Sequence, residues 1–235
     1  MLGDAMAAIG SIPDDWREAL GPAASPERLA PIAEFVARKR NVTLVLPDPD
    51  RVFAALAATP YASVRAVILG QDPYPNATHA TGLAFSVPKG LRPLPRSLRN
   101  IRTELRSDLV IVAPDHGSLE AWTRHGVLLL NTALTFHEGI PGSRDPARWA
   151  DLTDAVISAV AAKETPVAFL LWGVPAKTKD RLIDEHRHVI VRSTHPVARL
   201  QDGFLGSRPF SRANDGLRER GAEPIDWSLD DADGR

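Results

Sequence analysis

Four short apolar runs punctuate the chain: Ala66–Leu69, Val127–Leu130, Val167–Leu171 and Val189–Val191. Each has strand length and none shows helical spacing. Helical patterns lie between them. From Asp151 to Lys163, the residues Leu152, Ala155, Val156, Ala159 and Val160 share one face, with Asp151 as a cap. Ser118–His125 reads as a short helix and Pro175–His186 as a polar one. Asp48–Ala58 and Ser211–Arg220 read as helices that pack outside. Pro88–Pro95 (PKGLRPLP) is too rich in proline for a helix or a central strand, so it is expected as an exposed, stiff loop. Strands alternating with helices predict right-handed crossovers and a parallel sheet covered on both faces. The expected fold class is therefore α/β, a single domain with a central four-stranded, mainly parallel sheet flanked by helices. An N-terminal helical extension (1–40) and an acidic C-terminal tail (223–235) complete the expected organisation.

Composition narrows the chemistry. Of 235 residues, 44% are hydrophobic and 24% charged, which supports a packed core and excludes wholesale disorder. There is no cysteine, so a disulfide scaffold, a thiol nucleophile, Cys-ligated zinc and Cys-ligated iron–sulfur clusters are excluded. None of the 7 histidines falls in an HExxH spacing. No apolar run reaches membrane-spanning length, and Met1–Gly10 holds Asp4 but no basic residue, unlike a secretory signal. A cytoplasmic monomer is the expectation.

The net charge of −1 conceals an uneven distribution. Lys89–Arg106 holds six basic residues against one acid, net +5, and Lys177–Arg220 ten against six, net +4. The first 34 residues and the stretch from Glu223 onward each carry net −4. Phosphate binding needs a local basic face rather than a basic protein. On charge alone, solvated helix faces explain the same pattern.

The residues just beyond each strand are more informative. Leu69 leads into Gly70-Gln71-Asp72-Pro73-Tyr74, Leu130 into Asn131-Thr132, Leu171 into Trp172-Gly173, and Val191 into Arg192-Ser193-Thr194-His195-Pro196. Ligands of open parallel α/β sheets bind outside the carboxyl ends of the strands. An acid, two amides, a tyrosine and a histidine would thus converge on one crevice. Singly, each has a plainer reading as a turn former, a helix cap or a structural histidine. Together they suit cleavage of an N-glycosidic bond. A carboxylate orients water and steadies a cationic sugar, a neutral histidine donates to a developing oxyanion, an asparagine matches a base edge, and an aromatic ring offers a stacking face. No cofactor is needed, and the chain lacks a P-loop, a GxGxxG turn and a GxSxG elbow.

At these residues the sequence closely resembles the best-known family of uracil-DNA glycosylases, from about Pro47 to Trp227. The most specific piece is VILGQDPY, containing Gly70–Tyr74. Others are Gly82–Ser86, Ser97–Ile101, Leu128–Thr132, Leu170–Gly173, Thr194–Pro196 and Pro224–Trp227. The resemblance implies that Asp72 positions the attacking water and that His195 hydrogen-bonds uracil O2. It further implies that Asn131 reads the N3 and O4 edge, Phe85 stacks on the flipped base, Tyr74 excludes thymine by crowding C5, and Gln71 lines the pocket near O2. Pro95, Ser97, Gly173, Pro196, Arg199 and Leu200 would meet DNA, single- or double-stranded. Phe85 as core filling, Tyr74 as a rim residue and Ser97 as the N-cap of a helix over Leu98–Arg106 are the plainer alternatives.

The chain also departs from the family pattern. Pro75 stands where a histidine is usual, Val174 and Val197 where serines are usual, and Gly142 where another histidine is usual. The loop that wedges a leucine into the duplex reads His195-Pro196-Val197-Ala198-Arg199-Leu200. Arg199 takes the wedge position or grips a phosphate, with Leu200 as the alternative plug. The pocket is kept while the clamp on the backbone is altered, which weighs toward single-stranded substrate. The family is also the target of a phage-encoded inhibitor protein that mimics DNA and engages the leucine loop, a surface from which this chain departs.

Overall fold

The computed structural model describes residues 2–137, 146–198 and 203–230. Three helices open the chain: α1 (Leu2–Ala7), α2 (Asp14–Leu20) and α3 (Pro26–Arg40). They are held to the rest of the domain. Ile9, Ile12, Trp16, Leu20, Ala33 and Val36 are buried in the same hydrophobic core as the sheet. Trp16 Nε1 donates to the Thr59 carbonyl at 3.0 Å, and the Arg40 guanidinium reaches the carbonyls of Ala8, Val45 and Pro47 at 2.8–2.9 Å.

Next come β1 (Val45–Leu46), α4 (Ala54–Ala58), β2 (Ala66–Gly70), α5 (Arg96–Leu109), α6 (Glu120–Arg124), β3 (Val127–Asn131) and β4 (Phe136–His137). The chain continues through α7 (Pro146–Ala161), β5 (Ala168–Trp172), α8 (Val174–Lys177), β6 (Val189–Ser193) and α9 (Pro209–Glu219). Four strands form one sheet in the order β3-β2-β5-β6, and every neighbouring pair is parallel. The expected α/β class is the one found. A small antiparallel pair, β1 with β4, lies outside that expectation. Strands β2, β3 and β5 are buried at every residue, the signature of a parallel sheet covered on both faces. The edge strand β6 instead alternates, with Ile190 half-buried and Arg192 exposed. Arg192 is satisfied outside the sheet by Asp180 and Glu185.

Register matters most for the site. Gly70 lies opposite Asn131, and Trp172 opposite Ser193. The four strands therefore end nearly flush, and Gln71, Thr132, Gly173 and Thr194 all leave the sheet at one edge.

Several helix limits differ from the sequence expectation, each for a tertiary reason. The helix expected over Asp151–Lys163 begins at Pro146, a residue favoured in the first turn, so Asp151 lies within it rather than capping it. The polar helix expected over Pro175–His186 stops at Lys177 and gives way to a 3-10 turn over Asp180–Leu182. Ala176 and Ile183 are its only fully buried hydrophobic residues, too thin a stripe to hold a longer helix on the core. The helix expected over Asp48–Ala58 divides into a 3-10 turn, Pro49–Arg51, and α4. Helix α9 starts two residues early because the Asp108 carboxylate of α5 accepts the amides of Phe210 and Ser211 at 3.0 and 2.9 Å. Among the described residues no helix is long and apolar enough to cross a membrane.

The segment after α9 is built in. Ile225, Trp227 and Leu229 are buried, and Trp227 stacks edge-on against Trp122 at 5.3 Å. Asn214 of α9 holds it by donating to the Ile225 carbonyl (3.0 Å) and accepting from Ile225 N and Trp227 Nε1 (2.8 and 3.2 Å). Asn214→Ala strands three buried polar groups and should cost about 1–3 kcal/mol, read as a lower midpoint in urea unfolding. An unchanged midpoint would show that the segment is held by its tryptophans alone.

Candidate active site

The strand ends enclose a cleft of about 310 Å³ lined by Gln71, Asp72, Tyr74, Phe85, Ser97, Asn131 and His195, among others. Seven of the residues singled out in the sequence thus share one cavity. Its floor is set by β2 and β3. A Cβ on Gly70 would lie 2.2 Å from Asn131 Oδ1 and 2.9 Å from the Ala84 Cβ, so only glycine lets the buried Asn131 side chain cross the end of β2. Beyond Gly70 the two chains stay bonded: Thr132 N donates to Gly70 O at 3.0 Å, Ala133 N to Gln71 O at 2.9 Å, and Thr132 Oγ1 to Gln71 O at 3.0 Å. Asp72, half-buried, comes directly after this anchored turn.

The aromatic wall is rigid. Phe85 is buried with φ +64, a left-handed backbone that a bulky residue adopts only when its surroundings impose it. Ala84 N is bonded to Leu129 O at 3.0 Å, and Tyr74 donates its hydroxyl to Phe85 O at 3.2 Å. The Phe85 ring lies tilted 5.4 Å from Trp172 and 5.8 Å from His195. It both fills core and presents a face to the cleft. Tyr74 is a fixed wall rather than a mobile rim: Ser97 Oγ lies 2.9 Å from its hydroxyl, and burial pushes its pKa up to about 12. Ser97 does not cap α5. The helix starts at Arg96, two residues earlier than expected, with Pro95 at the cap position, and the Ser97 hydroxyl is turned to Tyr74.

His195 sits across the cleft. Gly173, at φ +91, passes directly behind it, and a Cβ there would lie 3.0 Å from the His195 Cβ. The amide of Val197 donates to His195 Nδ1 at 3.3 Å, so the ring proton belongs on Nε2. Burial lowers the His195 pKa from its ordinary value, which keeps the ring neutral near pH 7. Asn100, quoted in the sequence only as part of a motif, holds the next residue: its Nδ2 donates to Pro196 O at 2.6 Å. Helical spacing was the available signal, because Asn100 lies three residues, nearly one turn, beyond Ser97. Further along α5, the buried Glu104 accepts the amides of Gly206 and Arg208 at 2.6 and 2.7 Å.

Pro95 precedes α5 beside Ser97, while Val174 and Val197 are exposed apolar residues where the family pattern carries hydroxyls. Arg199, Leu200 and Gly142 lie outside the described residues. Among the described residues no cluster of histidine, aspartate or glutamate could hold a metal ion.

Comparison with known proteins agrees with this geometry. A family model described as the uracil DNA glycosylase superfamily matches residues 58–218. The chain belongs to that superfamily. A relative from Streptomyces avermitilis named uracil-DNA glycosylase 2 is 44% identical over 93% of this chain and 96% of its own length. A uracil-DNA glycosylase from Deinococcus radiodurans is 44% identical over 93% of this chain and 89% of its own. The crystal structure of mimivirus uracil-DNA glycosylase superposes with a TM-score of 0.82 at 25% identity, covering 93% of this chain and 88% of that one. A variant of the mimivirus protein has been solved in complex with UGI. The likeness to the mimivirus structure therefore takes in more of the chain than the residues 58–218 that the family model matches.

The placement of His195 predicts its titration. Its depressed pKa means protonation is resisted in the fold, so an NMR titration should find a midpoint below about 6.5, the ordinary histidine value. A midpoint above that value would mean the ring is protonated near neutrality and donates from both nitrogens.

Proposed function

We propose that this chain hydrolyses the N-glycosidic bond of uracil in DNA, opening base excision repair by leaving an abasic site. The observation that carries the proposal is the meeting of Asp72, Asn131, Phe85 and His195 on one cleft of about 310 Å³. Relatives at 43–44% identity are named uracil-DNA glycosylase, which supports the same activity. Such a base is out of reach inside a duplex, so it must be turned out of the stack into the cleft.

In this reading Phe85 stacks on the extruded base, and Asn131 pairs with its N3 and O4 edge through one donor and one acceptor. Gln71 lines the pocket near O2. Asp72 orients a water whose oxygen bonds to C1′ as the bond from C1′ to uracil N1 breaks. The carboxylate steadies the positive charge on the sugar and takes the water's proton. The electron pair leaves on the uracil, whose O2 accepts a hydrogen bond from His195 Nε2. A neutral donor suits this role, because burial favours the uncharged ring and a fixed dipole needs no reorganisation as charge develops. Tyr74, held by Phe85 O and Ser97, stands as a wall against a C5 methyl. Exclusion by steric clash is sharper than exclusion by lost attraction.

Two variants test this. Asp72→Asn keeps the shape and removes the base, so uracil release, read as alkali-labile abasic sites in a uracil-bearing oligonucleotide, should fall by about 10²–10⁴-fold. Wild-type release from the variant would exclude Asp72 as the water-activating group. Tyr74→Ala should admit thymine, measured as new abasic sites opposite adenine in thymine-bearing DNA. If thymine stays intact while uracil is still released, the steric account of specificity fails.

A further inference from the structure

The basic run Lys89–Arg106 contains one acid, Glu104, and the fold removes that acid from the surface. Glu104 is 1% exposed and engaged with the amides of Gly206 and Arg208. The next acid on α5, Asp108, is spent in the same direction on Phe210 and Ser211. Both carboxylates thus face the core side of the helix, and the opposite face keeps Arg99, Arg102 and Arg106. These three guanidinium groups, with Arg92, line a shallow groove of about 530 Å³ between α5, the proline-rich loop and the segment around Val112.

The four arginines are not equivalent. Arg102 donates to the carbonyls of Ala113, Pro114 and His116 and so builds the groove floor. Arg92 is tied to Asp115 at 2.6 Å. Arg99 and Arg106 are exposed, and their guanidinium groups make no hydrogen bond or ion pair to the described residues. Like charges at helical spacing destabilise a helix by a few tenths of a kcal/mol per pair, and no local acid offsets them here. Cleft and groove are lined from one helix: Ser97 lines the cleft from the first turn of α5, and Arg99, Arg102 and Arg106 line the groove from its opposite face.

We propose that this groove is an accessory track for the phosphodiester backbone of the DNA strand that flanks the uracil. The inference rests on the glycosylase reading above and extends its footprint. From Ser97 to Arg106 the helix rises by about 13 Å. One DNA strand advances about 3.4 Å per nucleotide, so Arg106 lies roughly four nucleotides from the cleft along the helix axis, and Arg99 is set apart from it by the thickness of the helix. A uracil trinucleotide fills the cleft without reaching round the helix to Arg99 or Arg106, whereas a 30-mer engages both arginines. Arg99 and Arg106 act here as point charges on phosphate, with no part in reading the base.

The test compares Arg99→Gln/Arg106→Gln with wild type on a uracil trinucleotide and on a 30-mer carrying one uracil. The expected result is unchanged kcat/KM on the trinucleotide and about a tenfold lower kcat/KM on the 30-mer at low salt. The slope of log(kcat/KM) against log[salt] on the 30-mer should shrink by roughly one to two. Arg99→Lys/Arg106→Lys should restore both, and Arg28→Gln/Arg38→Gln, which removes two charges elsewhere, should change neither. The proposal is overturned if the 30-mer is unaffected, if both substrates lose equally, or if the distant double variant has the same effect. Absence of uracil release from the trinucleotide by the wild-type protein would instead sink the glycosylase reading itself.

Discussion

The close approach of β2 and β3 at their carboxyl ends constrains everything at the cleft. Asn131 Oδ1 occupies the space that a side chain at position 70 would need, at 2.2 Å from the position of a Cβ there. Gly70 is therefore where the sheet register becomes the shape of a binding site. A slip of one residue in a strand exchanges its faces and turns its last side chain away from the cleft. The pairing of Gly70 with Asn131 and of Trp172 with Ser193 rules that out by committing every residue of β2, β3 and β5 to a packed position. Burial of β2, β3 and β5 on both faces makes any other register costly, because each residue would exchange one filled environment for another of different shape.

Helix α5 is the second rigid part. Its residues Asn100, Glu104 and Asp108 recur every fourth position and face one way. They bond in turn to Pro196, to Gly206 and Arg208, and to Phe210 and Ser211. The same helix presents Ser97 to Tyr74 at its first turn. One straight element thus fixes the tyrosine wall, the residue after His195 and the start of α9. Buried carboxylates are costly unless satisfied; backbone amides satisfy Glu104, and at Asp108 the amides are joined by the Ser211 hydroxyl and by the Arg208 guanidinium at 3.4 Å. The arrangement leaves the arginines of the opposite face unneutralised, so the polarity of that surface is a consequence of how the core side is bonded.

Much of this was legible in the sequence, and the pattern of success has a physical reason. The four strands announce themselves because parallel strands are apolar without interruption, and their exits then point to Asp72, Asn131 and His195. Helix limits were less legible. The start of α9 is set by Asp108, about a hundred residues away, and the end of α8 by the shortage of buried side chains beyond Ala176. Neither cause is local. Ser97 illustrates the same point: serine before a helix reads as a cap by local preference, yet its hydroxyl is taken by a tyrosine from another loop. Asn100 was within a recognised motif, but only the folded chain shows that its amide reaches Pro196.

Net charge was the least informative quantity and its distribution the most easily misread. A total of −1 predicts no attraction to a polyanion, and a run of arginines on a helix is ordinarily a solvated face. The fate of the acids changes the reading. Had Glu104 and Asp108 pointed outward, α5 would carry alternating charges three and four residues apart, and its field would cancel over a few ångströms. Turned inward, they bond to amides, and the outward face keeps a single sign over about two helical turns from Arg99 to Arg106. At physiological ionic strength charges are screened beyond about 8 Å, so a groove that itself carries the charge can favour phosphate locally while the protein as a whole stays nearly neutral. Segregation of charge by the core, rather than its sum over the chain, is what lets an almost uncharged protein present one strongly basic surface on the helix that also lines its cleft.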